Sequence, residues 1–409
     1  MPPGSLFVRL HKRYASDMSE RSEDLFDVAV IGGGATGYSS ALVAARHGLR
    51  TVLIAPPARF PPGRTAALLG SSVDFLRRLG VWDRMTDDAA AMVGMRIVDG
   101  TRRLLRAPEA IFHASEIGLP AFGHNIANEA IVAALAEAAE AEDGLSILPH
   151  TADDIRTGSD MVSILAGDRT IRARLVVGAD GARSSARRAA GIEMREWSYP
   201  QSALVTTFKV GRPHGNVSTE FHTEHGPFTL VPMKGQRMSL IWMDRPDIST
   251  MRSELQEDAF NRRAEERAAS IVGTMAVDTP RVVYPMKAAT VDAYARNRVM
   301  LVGEAAHVFP PIGAQGLNLG FRDVAALDKV LRRGSDPGSD EAIAAYHRQR
   351  QIDVRTRTAA VDILNRSLLT DFISVQALRG LGLGLASRVP PLRRLLMRQG
   401  LAQRPLFRA

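Results

Sequence analysis

The chain has 409 residues and a net charge of +8, and it is 45% hydrophobic and 23% charged, a balance ordinary for a globular protein with one large core or two coupled ones. It contains no cysteine, which excludes disulfides, thiolate metal sites and cysteine nucleophiles, and no apolar run reaches the ~18 residues that a membrane-spanning helix needs. Only five of its 52 basic residues are lysines; the arginine excess fits a GC-rich coding bias or attraction to an anionic surface or substrate, and no feature calls for nucleic acid.

Residues 1–25 are read as a disordered N-terminal tail, basic and free of acids before Asp17, with a targeting peptide as the other reading. Order is predicted from Phe26–Ile31, a short strand, followed by Gly32-Gly33-Gly34-Ala35-Thr36-Gly37 and a helix from Tyr38 to His47. A second strand, Thr51–Ile54, completes a strand–helix–strand unit around a GxGxxG turn. Glycines at 32, 34 and 37 allow a tight turn, close approach of a pyrophosphate to the first helical N–H groups, and helix-on-strand packing. An acid should end the second strand to hold an adenosine ribose. Here the chain reads Ile54-Ala55-Pro56-Pro57, with no acid between Asp27 and Asp74, so the ribose is left to backbone or water, with Arg59 in reach of an adenine or phosphate.

Gly63-Arg64-Thr65-Ala66-Ala67-Leu68 reads as a loop entering an amphipathic helix through Phe75–Gly80. Met95–Arg106 suggests a strand pair turning on Asp99-Gly100. Gly123–Asn128 precedes a helix from Glu129 to Glu142. Short strands follow at 145–149, 161–166 and 170–177, the last running into Val176-Val177-Gly178-Ala179-Asp180-Gly181-Ala182-Arg183-Ser184. An Asp-Gly at a strand's carboxyl end lies where open α/β sheets bind ligands, though it is equally a plain turn. The segments 203–210, 217–222, 228–232, 237–243 and 282–286 are short and β-branched or aromatic, predicting an antiparallel sheet with helix only at about 250–272.

Val299–Asp323 is a strand, VMLV, feeding a glycine-rich loop, Gly303-Glu304-Ala305-Ala306-His307 through Pro310-Pro311-Ile312-Gly313, which opens a helix near Gln315-Gly316-Leu317-Asn318. Unpaired N–H groups at that helix start suit an anion or an electron-rich ring. His307 is read either as a loop histidine bonded to backbone or as an acid–base group. His214, His222 and His225 do not have metal-ligand spacing. Helices are predicted at 322–333 and 339–366. After Asp371 there is no acid but there are seven arginines, with leucines between them. This is a basic amphipathic tail that fits an anionic bilayer surface or packing against the protein.

The ordered series GGGATG, GADGARS and GEAAHVFPPIGAQGLNLG resembles the class A FAD-dependent aromatic hydroxylases over nearly all of residues 26–366. Gly63-Arg64-Thr65, Tyr199-Pro200-Gln201, Glu220-Phe221 before Gly226-Pro227, and Ser239–Trp242 resemble their ubiquinone-biosynthesis branch. The resemblance implies an α/β fold with a Rossmann-like FAD-binding domain (GR2-type, p-hydroxybenzoate-hydroxylase-like), an inserted antiparallel β-sheet substrate domain and a C-terminal helical tail. The boundaries are 26–95, 120–185 and 290–366 for FAD, 96–119 and 186–289 for substrate, and 367–409 for the tail.

It further implies FAD held by Gly32, Gly34, Ala35, Thr36, Gly37, Arg64, Asn128, Asp180, Gly303, Glu304, Pro311, Gly313, Gly316, Leu317 and Asn318. Glu304 stands where the family usually has Asp or Asn. Pro310, Pro311, Tyr199, Phe221 and Trp242 are pocket candidates, and no catalytic side chain is assigned. NAD(P)H would be a transient reductant, since no second GxGxxG occurs, and O₂ would be used through a flavin C4a-hydroperoxide. The expected substrate is a polyprenylated phenol of the ubiquinone pathway. Contact would be made with the inner face of the cell membrane through 372–409, from the cytoplasm rather than a mitochondrial matrix, and with other quinone-biosynthesis proteins. Alternatives are a soluble phenolic substrate or a non-catalytic flavoprotein-like scaffold, which the absent ribose acid and Glu304 would suit.

Overall fold

Strand Asp24–Ile31 is the hinge of the architecture. It pairs in parallel with Thr51–Ile54 on one side and with Arg169–Gly178 on the other, and Arg169–Gly178 pairs in parallel with Val299–Leu301. All four are apolar where they meet, as strands covered on both faces must be: Val28, Leu53, Leu175 and Met300 have no exposed surface. Helices Ala35–Arg46, Asn128–Glu140 and Gln315–Leu331 contribute to the same core. The computed structural model describes residues 24–57, 63–101, 108–310, 315–332, 334 and 336–369, together with 391, 393, 394 and 397. Asp24 and Leu25, assigned above to the tail, belong to the first strand, with Asp24 opposite Ile171.

A second, nine-stranded sheet contains Met194–Val210, Val217–Thr223, Gly226–Met233, Arg237–Asp244 and Val282–Val291. Helices Pro246–Ser253 and Glu257–Arg267 divide the stretch expected as one helix. Alternation gives this sheet two faces. Leu204, Phe208, Phe221, Phe228, Leu240 and Trp242 form a core with Phe260 of the second of those helices. On the other face Ser239 accepts from Thr65 Oγ1 at 3.1 Å and Asn125 Nδ2 donates to the Pro232 carbonyl at 2.9 Å. That face therefore meets the small sheet in which Thr65–Leu69 pairs with Gly123–Ala127.

Two local expectations change. Gly63–Leu68, read as a loop despite the helical propensity of its Ala and Leu residues, leads into Thr65–Leu69, a strand paired with Gly123–Ala127, and the helix starts at Gly70. Tertiary pairing overrides propensity here. Gly94–Asp99 is paired not across a tight Asp99-Gly100 turn but with Ala110–His113, Ile97 standing opposite Ala110. The Asp99 carboxylate instead accepts from the Thr101 hydroxyl at 2.6 Å.

The last long helix, Asp340–Leu369, is fastened to the third motif by a buried ionic chain. Asp323, with no side-chain exposure, accepts from Arg350 Nε at 2.7 Å through one oxygen, and from His307 Nε2 at 2.7 Å and the Gly303 N–H at 2.8 Å through the other. Arg350 continues to Asp353 at 2.8 Å, which Arg322 grips with two bonds of 2.9 and 3.0 Å. Tyr346 donates to the Leu301 carbonyl at 2.8 Å. Burial works against charge on Arg350, but Asp323 and Asp353 outweigh it and raise its pKa. Burial likewise opposes the Asp353 carboxylate, and Arg322 and Arg350 overcome it and hold its pKa far below the ordinary carboxylate range.

Two outcomes follow for stability. Removing one partner of a buried pair strands the others, at a cost of about 3–5 kcal/mol, so Asp323→Ala is expected to lower Tm steeply in a thermal melt; an unchanged Tm would refute the clamp. Because the folded pKa of Asp353 is depressed, its contribution is present above the unfolded value of about 4 and is lost as pH falls below it. Wild-type Tm is expected to drop between about pH 5 and pH 3, and Asp353→Asn, already less stable at neutral pH, to show a shallower drop.

Candidate functional site

The three motifs meet because their strands are neighbours and point the same way. The Gly32 N–H donates to the Ile54 carbonyl at 2.9 Å, the Ala179 N–H to Ile31 at 2.8 Å, and the Val302 N–H to Gly178 at 2.9 Å. The turns after Ile31, Gly178 and Leu301 thus leave one edge of the parallel sheet side by side, at the carboxyl ends where such sheets bind ligands. Gly32 has φ +114°, and a Cβ there would stand 2.3 Å from the Ala179 carbonyl oxygen. No side chain with a Cβ can hold the first two turns this close.

Helix Ala35–Arg46 starts with Gly34 in extended conformation as N-cap, and no side chain caps it. A Cβ on Gly34 would meet nothing within 4 Å. The helix therefore presents uncapped N–H groups and partial positive charge to open space. Thr36 faces the other way: a Cβ on Gly320 would lie 2.5 Å from its methyl group, so Thr36 packs the first motif helix onto the third. Asn128 begins its own helix; its N–H donates to the Arg64 carbonyl at 3.0 Å while its Oδ1 is buried without a partner among the described residues. The Arg64 guanidinium lies 5.5 Å from the centre of the Tyr284 ring, bridging the two sheets. Glu304 is exposed in the turn Gly303–Ala305. Its carboxylate is bonded to none of the described residues.

Two expected cofactor contacts have their side chains committed elsewhere. Asp180 accepts from Ser184 Oγ at 2.5 Å, from Ser185 through N–H and Oγ at 2.7 and 2.9 Å, and from the Ala186 N–H at 3.2 Å. It shapes its loop and caps the helix Ser185–Ala189. Asn318, 2% exposed, accepts from the Leu69 N–H at 2.9 Å and Ser72 Oγ at 2.7 Å and donates to the Ala67 carbonyl at 2.8 Å. It locks the start of its helix to strand Thr65–Leu69.

Gly316 is exposed and Leu317 half-buried in that helix's first turn, and Pro310 is buried. Pro311, Gly313 and Arg59 lie outside the described residues. His307, bonded to Asp323, belongs to the clamp and is neither bonded to backbone nor exposed.

The pocket candidates separate. Phe221 and Trp242 face the helix-covered core: Trp242 stands edge-on to Phe228 at 5.0 Å, with the Arg252 guanidinium 4.1 Å from its ring centre. They are corrected to core residues, since alternation from Ser239 sends Trp242 to the opposite side. Tyr199 joins Ala203, Val205, Ile241, Met243 and Met286 in a cluster on the Ser239 side of the sheet, the side that meets Thr65 and Asn125. Residues the motifs did not disclose are Asp323, Arg350 and Arg187. The last is 7% exposed and donates to the Ala305 and Ala182 carbonyls at 3.1 and 2.9 Å, bracing the second loop against the third. A buried acid in the otherwise apolar helix face Leu319–Val324 was the available signal for Asp323.

The open, uncapped helix start fits the pyrophosphate of a dinucleotide, and the Asn128 oxygen and the Glu304 carboxylate, without partners among the described residues, are acceptors that fit its hydroxyl groups. No acid follows Ile54, and Ala55 is buried while Pro56 and Pro57 are exposed. The ribose beyond the pyrophosphate therefore meets no carboxylate there.

A family described as "FAD binding domain" matches residues 25–360. The ubiquinone hydroxylase UbiL of Rhodospirillum rubrum is 32% identical over 93% of this chain and 90% of its own length. The 3-demethoxyubiquinol 3-hydroxylase of Escherichia coli is 30% identical over 92% and 98%. Among solved structures, p-nitrophenol 4-monooxygenase PnpA of Pseudomonas putida superposes with TM-score 0.77 at 20% identity, covering 94% of this chain and all of that one. PqsL of Pseudomonas aeruginosa superposes with TM-score 0.70 at 22% identity over 88% and 99%. With the three loops converging as described, the chain belongs to the FAD-dependent aromatic-ring monooxygenases, in the family of the ubiquinone-biosynthesis hydroxylases.

Proposed function

We propose that this enzyme hydroxylates the ring of a polyprenylated phenol on the way to ubiquinone, with NAD(P)H as passing reductant and O₂ as oxygen donor. What supports the substrate class is the apolar cluster of Ala203, Met243 and Met286, all buried, with Tyr199, Val205 and Ile241 packed against it on the Ser239 face of the sheet. Cations along these strands are already engaged: Arg237 and Lys209 both pair with Asp278, at 2.5 and 3.2 Å, Arg245 pairs with Asp247 at 3.1 Å, and Arg64 lies over Tyr284. Such a surface suits an uncharged ring with an apolar chain better than a small phenol carrying a carboxylate, which would need a free guanidinium. Methionines add adaptable, polarisable contact for a long, flexible ligand.

Bound FAD supplies the redox and oxygen-transfer chemistry. The protein's part is to cradle the pyrophosphate at the uncapped helix start, to offer Glu304 and Asn128 as polar contacts, and to keep the ring in a dry, apolar cleft. We assign cofactor contact to Gly32, Gly34, Ala35, Gly37, Arg64, Asn128, Gly303, Glu304 and Gly316. Asp180, Asn318 and Thr36 shape the loops. No helix among the described residues is long and apolar enough to cross a membrane, so access to a lipid-borne substrate would come from the membrane surface.

The test is to purify the protein with FAD, supply NAD(P)H, O₂ and a short-chain prenyl phenol, and analyse products by mass spectrometry. A visible flavin band and one added oxygen per ring, with little turnover of carboxylated phenols, is the expected result. Preferred turnover of the carboxylated phenols would move the assignment to a soluble substrate, and a protein that takes up no flavin would make it a scaffold. Met243→Arg should raise KM for the prenyl substrate by about tenfold or more, since it buries a charge against the chain, while flavin uptake is retained.

A further inference from the structure

Strand Val217–Thr223 places a carboxylate on the sheet face that carries the proposed substrate cluster. Phe221 belongs to the helix-covered core, so alternation turns Glu220 and His222 to the opposite side. Register joins them to the cluster in one row: Val205 stands opposite Ile241, Ile241 opposite Thr229 and Thr229 opposite Glu220. Facing residues of paired strands share a face. Glu220 therefore lies two strands, about 10 Å, from Ile241, with only the short side chain of Thr229 between them in the row. Beyond Glu220 the row continues with Ile97 and Ala110.

Within this row Glu220 alone is charged. Its side chain is 28% exposed and thus within reach of a ligand. His222 Nε2 donates to Glu220 Oε1 at 2.8 Å, and the other carboxylate oxygen has no partner among the described residues. The cations on the same face do not neutralise it, since Arg237 and Lys209 are held by Asp278. Asp99, opposite His222, accepts from Thr101 and adds further negative charge to this end of the face. A carboxylate only accepts hydrogen bonds. It welcomes a hydroxyl group and repels a second carboxylate.

We propose that Glu220 is the contact that selects the substrate ring. Its open oxygen accepts the phenolic O–H, His222 holds the carboxylate in place, and the prenyl chain runs back over Thr229 to Ile241 and Met243. The same negative charge excludes a ring that carries a carboxylate. The inference deepens the function proposed above and rests on it for the substrate. The apolar cluster accounts for the chain; Glu220 accounts for the choice of ring.

The test uses the full chain with FAD, assayed on a prenyl phenol and on the same compound bearing a ring carboxylate. The quantity read is the ratio of the two kcat/KM values. Glu220→Gln keeps the shape and removes the charge. It should cut the parent's preference for the uncharged phenol about tenfold or more, because the like-charge repulsion is gone, while flavin uptake and Tm are retained. A merely structural part for Glu220 would lower both values together, so an unchanged ratio overturns the inference. A second measurement needs no variant: flavin fluorescence of the parent, titrated with the prenyl phenol and with its methyl ether, which has no proton to give. The ether should bind about tenfold more weakly, as loss of a bond to a charged acceptor predicts; equal binding overturns the inference. A parent that prefers the uncharged phenol, with the ratio unmoved in the variant, removes the Glu220 contact alone. A parent that prefers the carboxylated phenol removes the proposed substrate and the contact with it.

Discussion

The Asp323 carboxylate is the point on which the site depends. It is fully buried and accepts from a backbone N–H at the start of one loop, an imidazole at that loop's far end, and a guanidinium from the terminal helix. An ionised group so placed costs several kcal/mol in desolvation and is kept only where its donors fix geometry. What it fixes is the conformation of Gly303–His307, and therefore where Glu304 points and how Pro310 is presented. A loop of glycines and alanines has little side-chain packing to define it, so an ionic anchor underneath takes that part.

The same logic of bracing from behind recurs around the cradle. Arg187 ties the second loop to the third through two carbonyls, Asp180 caps its own loop, and Asn318 ties the third helix to strand Thr65–Leu69. Each of these side chains is satisfied by protein, while among the described residues the N–H groups at Gly34, the Asn128 oxygen and the Glu304 carboxylate are left open. Such a division between bracing and open polar groups is a mark of a binding site. The side chains of Asp180 and Asn318 are used to hold the backbone of the loops.

Much of this was legible in the chain. Parallel strands read as short apolar runs, Val28–Ile31, Leu175–Val177 and Val299–Leu301, and the three glycine motifs follow them directly, so period and punctuation located the cradle. What the sequence did not disclose are the features set by tertiary pairing. Ala66–Leu68 reads as part of a loop and belongs to a strand because Gly123–Ala127 lies beside it. Trp242 and Phe221 look like pocket aromatics but fall on the helix-covered face, because register relative to Ser239 decides their side. Arg350 and Asp353 read as ordinary charges of a surface helix until their partners, Asp323 and Arg322, are brought against them.

Under the cofactor contacts proposed above, the absent acid after Ile54 leaves the weight of FAD binding on the loop that Asp323 holds. Calorimetric titration of the flavin-free protein with FAD, comparing the parent chain with Asp323→Asn at a temperature where both are folded, tests this most directly. One FAD per chain in the parent, and affinity weakened about tenfold or more in the variant through the lost charge-assisted bonds, is the predicted result. Equal affinity in the two folded proteins, or no FAD binding by the parent, would contradict it.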